Sequence, residues 1–235
     1  TFQIACHEEV VPIDELYEFC RIAREICQDK WLVSRVIARP FIGVKGSFLR
    51  TSKRKDFVIK PFKDTVLDKL SEKGVEVIAI GRIREFFSGR GITSSYPTSN
   101  NDEGIEKIKE SLKIRKDLFI FANLEDFDTL YGHRRNPKGY AKALENLDSR
   151  IPEITDLMED DDLLIFTGDH GCDPTFNKHT DHTRENVPLL IYGKMIKKGL
   201  NLELRTSFTD IGKSIASYLG VEFNIGESFI AEILS

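Results

Sequence analysis

Four short apolar runs constrain this chain most: "VEVIAIG" (75–81), "DLFIFANL" (117–124), "DLLIFTG" (162–168) and "VPLLIYG" (187–193). A strand with one face in water alternates apolar and polar residues. Runs this short that barely alternate are strands covered on both faces. Helical patterns separate or follow them: "DTVLDKLSEKG" (64–74), "NNDEGIEKIKESLK" (100–113), "NPKGYAKALENLDSRIPEITDLMED" (136–160) and "SFTDIGKSIASYLG" (207–220). Strand and helix in alternation predict an α/β fold, a largely parallel sheet with helices packed on it. In such sheets ligands sit beyond the carboxyl ends of the strands.

The N-terminal quarter has a different rhythm. "TFQIAC" (1–6) reads as a strand. "PIDELYEFCRIAREIC" (12–27) reads as a helix, with Leu16, Phe19, Cys20, Ala23 and Cys27 at helical spacing. "WLVSRVIARPFIG" (31–43) is strand-like and ends in Pro and Gly signals, and "VKGSFLRTSKRKDF" (44–57) is a hairpin or crossing linker. These patterns place a domain boundary near residue 60. The connection 82–101, rich in Gly, Ser, Pro and Asn, is long for this fold class and reads as a surface loop near a site.

Charge and cysteine usage exclude several functions. A net charge of −4 opposes broad nucleic-acid binding, which needs a basic face. No apolar run approaches the roughly 20 residues of a membrane span, and no basic, apolar signal sequence opens the chain. Cys6, Cys20, Cys27 and Cys172 include no CxxC pair, so they read as reduced thiols in a cytoplasmic protein. The chain opens at Thr1 in mid-strand, which reads as a piece of a longer protein.

The polar residues concentrate where the strands run out. "GDHGCDPTFNKHTDHTRE" (168–185) holds three histidines and three aspartates, and "FDTLYGHRR" (127–135) follows another strand. Asp128 and His133 therefore share a sheet edge with Asp169, His170 and His182. Carboxylate oxygen and imidazole nitrogen suit Mn²⁺, Zn²⁺ or Fe²⁺. Two such ions roughly 3.5–4 Å apart form a common clamp for phosphoryl chemistry. Neighbours in a strand point to opposite faces, so Asp169 and His170 act together only where the strand has ended; Gly168 and Gly171 permit that turn. Cys172, with no second thiol nearby, reads as a bystander.

Several motifs carry a resemblance. "NLEDFDTLYGHRRNPKGYAKAL", "FTGDHGCDPT" and "TDHTRENVPLLIYG", with "QIACHEEVVPIDELYEFCRIARE", "RVIARPFIG" and "VIAIGRI", resemble the phosphopentomutase family of the alkaline phosphatase superfamily. The resemblance covers nearly the whole chain. It implies a fold of that superfamily, with residues 1–60 the C-terminal part of an inserted α/β cap and 61–235 that of the metal-binding core. It implies interconversion of ribose 1-phosphate and ribose 5-phosphate, or the deoxyribose pair, in nucleoside salvage. The implied cofactors are two Mn²⁺ ions, other divalent ions being possible, with a phosphorylated threonine. Carried over by motif, Asp128, His133 and His182 hold one ion. Asp169 and His170 hold the other, with an aspartate that, like the threonine, precedes the matched region. On this reading the parent protein is a mutase, and this chain alone does not turn over.

The resemblance also assigns Arg134 to stabilising the transferred phosphoryl group. Arg35, Arg50 and Arg82 go to the distal phosphate of a small sugar-phosphate substrate, with no nucleic-acid or membrane partner. Arg82 replaces the family's usual lysine. The loop "FNKH" (176–179) is one residue longer than usual, with His179 in place of a glycine. His179 reads as a solvated loop residue, Asp173 and Asp181 as partners that orient the histidines, and His7 as a hinge or packing residue. Competing readings are a metal-dependent phosphatase or phosphodiesterase of the same superfamily, and a non-catalytic metal- or sugar-phosphate-binding protein. Oligomeric state is not legible in the sequence.

Overall fold

A computed structural model describes residues 1–28, 31–114 and 116–234. The chain forms two compact units, Thr1–Lys63 with Glu85–Arg90, and Asp64–Arg84 with Gly91–Ser235.

The first unit is a four-stranded sheet with one helix on it. Strand β1 (Phe2–His7) is followed by helix α1 (Ile13–Gln28), β2 (Arg35–Val44), β3 (Ser47–Arg50) and β4 (Lys55–Val58). β1 pairs parallel with β2, from Phe2 opposite Val36 to His7 opposite Phe41. β3 and β4 lie end to end, antiparallel, along the other edge of β2. Even positions of β2 bury Val36 and Ala38 against Leu16 and Cys20 of α1. Odd positions turn Arg35, Ile37, Arg39 and Phe41 to the opposite face.

The strand read over 31–43, with Pro40 and Gly43 at its end, is found with its end within one residue and its start at Arg35. β2 runs through Pro40 to Val44. The Pro40 carbonyl accepts from Thr51 N at 3.1 Å, so the proline nitrogen faces the same edge, where β4 gives way to β3. A missing N–H costs nothing where the partner strand is interrupted.

The second unit carries α2 (Val66–Glu72), β5 (Glu76–Ile80), the start of α3 (Ile83–Phe86), whose Glu85 and Phe86 count with the first unit, then β6 (Ser94–Tyr96), α4 (Asn101–Leu112) and β7 (Leu118–Ala122). A π-helical turn (Phe127–Gly132) leads to α5 (Pro137–Thr155), β8 (Leu164–Thr167), β9 (Leu189–Tyr192), α6 (Thr209–Tyr218) and α7 (Ile230–Ile233). β5 lies between β6 and β7, all parallel. Val77, Ile78, Ala79 and Ile80 are fully buried, which explains the run without alternation. Helix α2 starts at a capping box, Thr65 receiving Asp68 N while Asp68 Oδ2 receives Thr65 N at 2.7 Å.

One expectation needs correction: connection 82–101 is not plain loop, because it holds α3 and β6. The expected parallel sheet is present as β6–β5–β7, and β8 and β9 add a separate antiparallel pair. β7 and β8 each keep one edge with no strand partner among the described residues. Phe229, Ile230 and Ile233 cover the β8–β9 pair, packing on Leu163, Leu189 and Ile191. Buried apolar runs fix how many faces are covered, but not which strand lies alongside which.

Asp210, buried in the first turn of α6, ties the C-terminal segment to the unit. Its carboxylate accepts from Glu227 N at 3.0 Å and from Arg205 Nε at 3.0 Å. The main-chain N–H chiefly, then Arg205, hold its pKa below the ordinary carboxylate value against the opposing effect of burial. A depressed folded-state pKa contributes stability that is complete above the unfolded pKa and lost as pH falls through the folded one. Urea melts from about pH 6 to about pH 2 should show this loss in the parent and a flatter acid limb in Asp210→Asn. Parallel profiles for the two proteins would refute the assignment.

Candidate metal centre

The first ligand pair comes from a π-helical turn. In an α-helix, residues five apart point about 140° away from each other. Here His133 N donates to Asp128 O at 2.9 Å, an i→i+5 bond. The wider turn brings the two side chains together, with His133 Nε2 3.3 Å from Asp128 Oδ2. The turn is anchored from below: Asp126 Oδ2 receives Asn101 N at 2.9 Å and Asn101 Oδ1 receives Asp126 N at 3.0 Å.

The second set comes from the loop after β8. His182 Nε2 lies 3.5 Å from Asp128 Oδ1, and His170 Nε2 lies 3.4 Å from Asp169 Oδ2. The rings of His133, His182 and His170 form a stack, with centroids 4.8 and 3.5 Å apart. Gly171 forms a bridge with Thr183, and a Cβ on it would sit 2.9 Å from Glu185 N and 3.0 Å from Thr183 O. Glycine therefore lets the loop fold back and deliver His182.

Hydrogen bonds set the tautomers. His133 Nδ1 lies 2.5 Å from Thr180 O, and His170 Nδ1 3.2 Å from Gly171 O. A carbonyl only accepts, so each Nδ1 donates, and Nε2 is the ring nitrogen turned toward the cluster. Burial, then His170, lower the pKa of His182 against the pull of Asp128. Neutral imidazoles with free Nε2 lone pairs are what a cation requires.

Asp128 Oδ1 is buried with no hydrogen-bond partner. An orphaned carboxylate oxygen is costly unless something positive meets it. Ligand atoms of Asp128, His170 and His182 lie within 4.8 Å of one another, and so do those of Asp128, His133 and Cys172. Oxygen and nitrogen donors converging on an unsatisfied carboxylate fit a divalent cation of the Mn²⁺ or Zn²⁺ type.

The structure thus gathers Asp128, His133, His170 and His182, with Asp128 common to a group with His170 and His182 and a group with His133. Asp169 touches only the edge of the cluster, its side chain 70% exposed. Arg134 is exposed beside it. Arg82 Nε lies 3.5 Å from Glu125 Oε1, within the same unit. Arg35 and Arg50 belong to the first unit, Arg35 Nη1 lying 3.7 Å from Asp56 Oδ2 and Arg50 sitting exposed at the end of β3. Asp173 and Asp181 do not orient imidazoles as expected. Asp173 caps its own turn through Thr175, and Asp181 accepts from His182 N at 2.9 Å. His179 is exposed, and His7 packs edge-on against Phe41 and Phe48 while its Nε2 meets Gly43 O at 2.8 Å.

Two residues went unrecognised in the sequence. Arg135, not Arg134, locks the centre. Its Nε donates to His179 O at 2.9 Å, its Nη1 to Gly132 O at 3.1 Å and Asp173 O at 2.8 Å, and its Nη2 to Asp181 O at 2.8 Å and again to His179 O. All five guanidinium donors are used, on four carbonyls from two loops. The backbone of Arg135 is left-handed, φ 50°, a conformation held by the clamp. Nothing in the pair "RR" tells which arginine turns inward. The other is Cys172, whose thiol sits against Asp128 and is pushed up to about 11, by burial first and then by that carboxylate.

Residues 35–223 match the model of the Metalloenzyme superfamily. The chain is 53% identical over 233 residues to the phosphopentomutase of Caldanaerobacter subterraneus subsp. tengcongensis and 50% identical over 234 residues to that of Clostridioides difficile. In each case 99% of this chain is covered, but only 59% and 60% of the relative. The chain therefore spans about three-fifths of the curated relatives it matches. Among solved structures, a Leishmania mexicana phosphoglycerate mutase superposes with a TM-score of 0.52 at 18% identity, over 69% of this chain and 38% of that one. A protein from Pyrococcus horikoshii gives 0.50 at 20% identity, over 77% and 47%. At these identities the structural likeness concerns the fold alone, which is the mixed α/β fold of the superfamily.

The clamp makes a sharp comparison available. Arg135→Lys keeps the charge but loses the planar fork, so one ammonium cannot serve four carbonyls. Stability should fall by about 1–3 kcal/mol and divalent-metal affinity by about 10- to 100-fold, whereas Arg134→Lys should change neither. Calorimetric metal titration with thermal melts decides it; equal effects of the two substitutions would refute the clamp.

Proposed function

The chain belongs to the Metalloenzyme superfamily, and on that premise we propose that it is the metal-binding part of a phosphopentomutase. The whole protein interconverts ribose 1-phosphate and ribose 5-phosphate, or the deoxyribose pair, in the cytoplasm. The observation that carries this reading is the convergence of His133, His170 and His182 on Asp128, whose buried Oδ1 has no hydrogen-bond partner.

Two divalent ions, Mn²⁺ in this reading, supply charge neutralisation for a phosphoryl group passing between a threonine and a sugar hydroxyl. Asp128, His133, His170 and His182 hold them, with Asp169 at the edge and one further aspartate supplied by another part of the protein. The unpartnered edges of β7 and β8 support a further strand there. Residues 1–60 would belong to a cap that keeps water from the phosphoenzyme, and 61–235 to the core.

The chain's own residues have separable tasks. His133 and His170 keep their protons on Nδ1, leaving Nε2 as donors. Arg135 spends its donors on the main chain, which leaves Arg134, exposed beside His133, as the guanidinium for the phosphoryl oxygens. Arg35 and Arg50 of the first unit are the guanidinium groups assigned to the distal phosphate. Arg54 takes Asp56 with a two-point fork, both bonds 2.7 Å, so that carboxylate is already neutralised and Arg35 at 3.7 Å retains charge for an anion.

The full-length protein with Mn²⁺ should convert ribose 1-phosphate to ribose 5-phosphate without net release of phosphate. Release of phosphate with no isomer would instead assign the phosphatase reading. Asp128→Ala and His182→Ala should each lower Mn²⁺ affinity and turnover together, by more than the 10- to 100-fold, roughly, that follows loss of an outer-shell partner. Arg50→Met should raise KM by about 10- to 100-fold, the equivalent of one charged hydrogen bond, and leave Mn²⁺ binding alone.

A further inference from the structure

We propose that Arg39 is a further phosphate-binding residue of the first unit, and that Gln3 is the positioning residue that holds it without neutralising it. The inference rests on the sugar-phosphate reading above and adds two residues which that reading leaves unused.

The face of the first sheet turned away from α1 collects positive charge by register. Residues 31–63 hold nine Lys or Arg and a single acid, Asp56, so that stretch offers little countercharge of its own. Arg35 and Arg39 share this face at alternate positions of β2. Arg50 stands opposite Phe41 in β3 and joins them. β2 and β4 last pair at Ala38 with Lys55, and the next step of that register sets Arg39 against Arg54. Like charges directly across a sheet are destabilising. The arrangement costs stability until an anion meets it.

The acids nearby are spent on other groups. Asp56 is forked by Arg54, with Arg35 at 3.7 Å. Glu8 accepts from Thr51 Oγ1 at 2.5 Å and from Lys53 Nζ at 2.6 Å, which pins the turn between Arg50 and Arg54. Arg39 instead donates Nε to Gln3 Oε1 at 2.6 Å. Gln3 lies on β1 across from Ile37, so the half-buried guanidinium is held between two strands rather than on a loop. A neutral amide fixes it and leaves its charge whole. The bond uses Nε and leaves out the Nη1–Nη2 edge, which can take two oxygens of one phosphate. Burial first, then the like charges of Arg54 and Arg50, hold the Arg39 pKa below the ordinary guanidinium value, with Asp56 opposing. The side chain is therefore kept charged at a cost that a bound phosphate would relieve.

The test uses the full-length protein with Mn²⁺, as the parent, Gln3→Glu, Arg39→Lys and Arg39→Met. Gln3→Glu keeps an acceptor for Arg39 Nε but adds the charge that neutralises it. It should raise KM for ribose 5-phosphate by about 10-fold, and Arg39→Met by at least as much, with kcat and Mn²⁺ affinity unchanged. Arg39→Lys keeps the charge, loses the fork and should fall between parent and Arg39→Met. The thermal midpoint of Gln3→Glu should not drop, because a charged pair replaces a neutral acceptor. A role confined to stability predicts a parent-like KM in Gln3→Glu, and that result overturns the inference. Circular dichroism identifies an Arg39→Met protein that misfolds, and the other two variants then carry the comparison. A parent that binds ribose 5-phosphate in calorimetry without isomerising it overturns the mutase reading; weaker binding by Gln3→Glu would still sustain the role of Arg39, and equal binding would overturn it. A parent that binds no ribose 5-phosphate overturns both.

Discussion

One guanidinium holds the ligand-bearing segments together. Arg135 reaches back to Gly132 in its own turn and forward to Asp173, His179 and Asp181 in the loop after β8. Without it, a long loop would have to keep His182 beside Asp128 against its own conformational entropy, helped by the Thr183 contacts, the Gly171 bridge and the His133–Thr180 hydrogen bond. Neutral carbonyls are suitable partners here. A carboxylate in their place would satisfy the cation but add negative charge beside groups meant for a metal ion.

The centre is built by saturating everything except the donors it needs. Nδ1 of His133 and of His170 face carbonyls, Asp173 and Asp181 are spent on backbone N–H groups, and Arg135 has no donor to spare. Among the four gathered side chains, Asp128 Oδ1 is the buried atom left with no hydrogen-bond partner. Fixed dipoles around an unfilled charge are preorganisation in its simplest form, and the reorganisation cost is met when the chain folds. Asp128 is the hub of this arrangement. It is common to both groups of converging donor atoms.

Legibility followed the physical range of each signal. The buried character of β5 was plain because four consecutive apolar residues admit no wet face. β2 was legible through Pro40 because a proline breaks a ladder only if a partner strand faces its nitrogen, and at that point none is continuous. Asp128 and His133 were found as a pair by position after a strand. The reason they meet, an i→i+5 bond, is invisible to a reading in periods of two and 3.6. Asp173 and Asp181 look like outer partners of histidines in the sequence, yet short acidic side chains in tight turns satisfy their own backbone first.

Residue chemistry and strand placement, which are local properties, settled by themselves that this chain is an α/β protein with aspartates and histidines at strand ends and the composition of a metal site. They also sufficed for the likeness to a family. Only the tertiary structure decided that β8 and β9 stand apart as an antiparallel pair, that Arg135 turns inward while Arg134 turns out, and that Cys172 lies against Asp128. Those outcomes depend on contacts between segments that run from Thr167 with Leu189, 22 residues apart, to Arg135 with Asp181, 46 apart. Which of two adjacent arginines finds four carbonyls, or which thiol finds a carboxylate, is fixed by the packing of both segments together and is carried by neither alone.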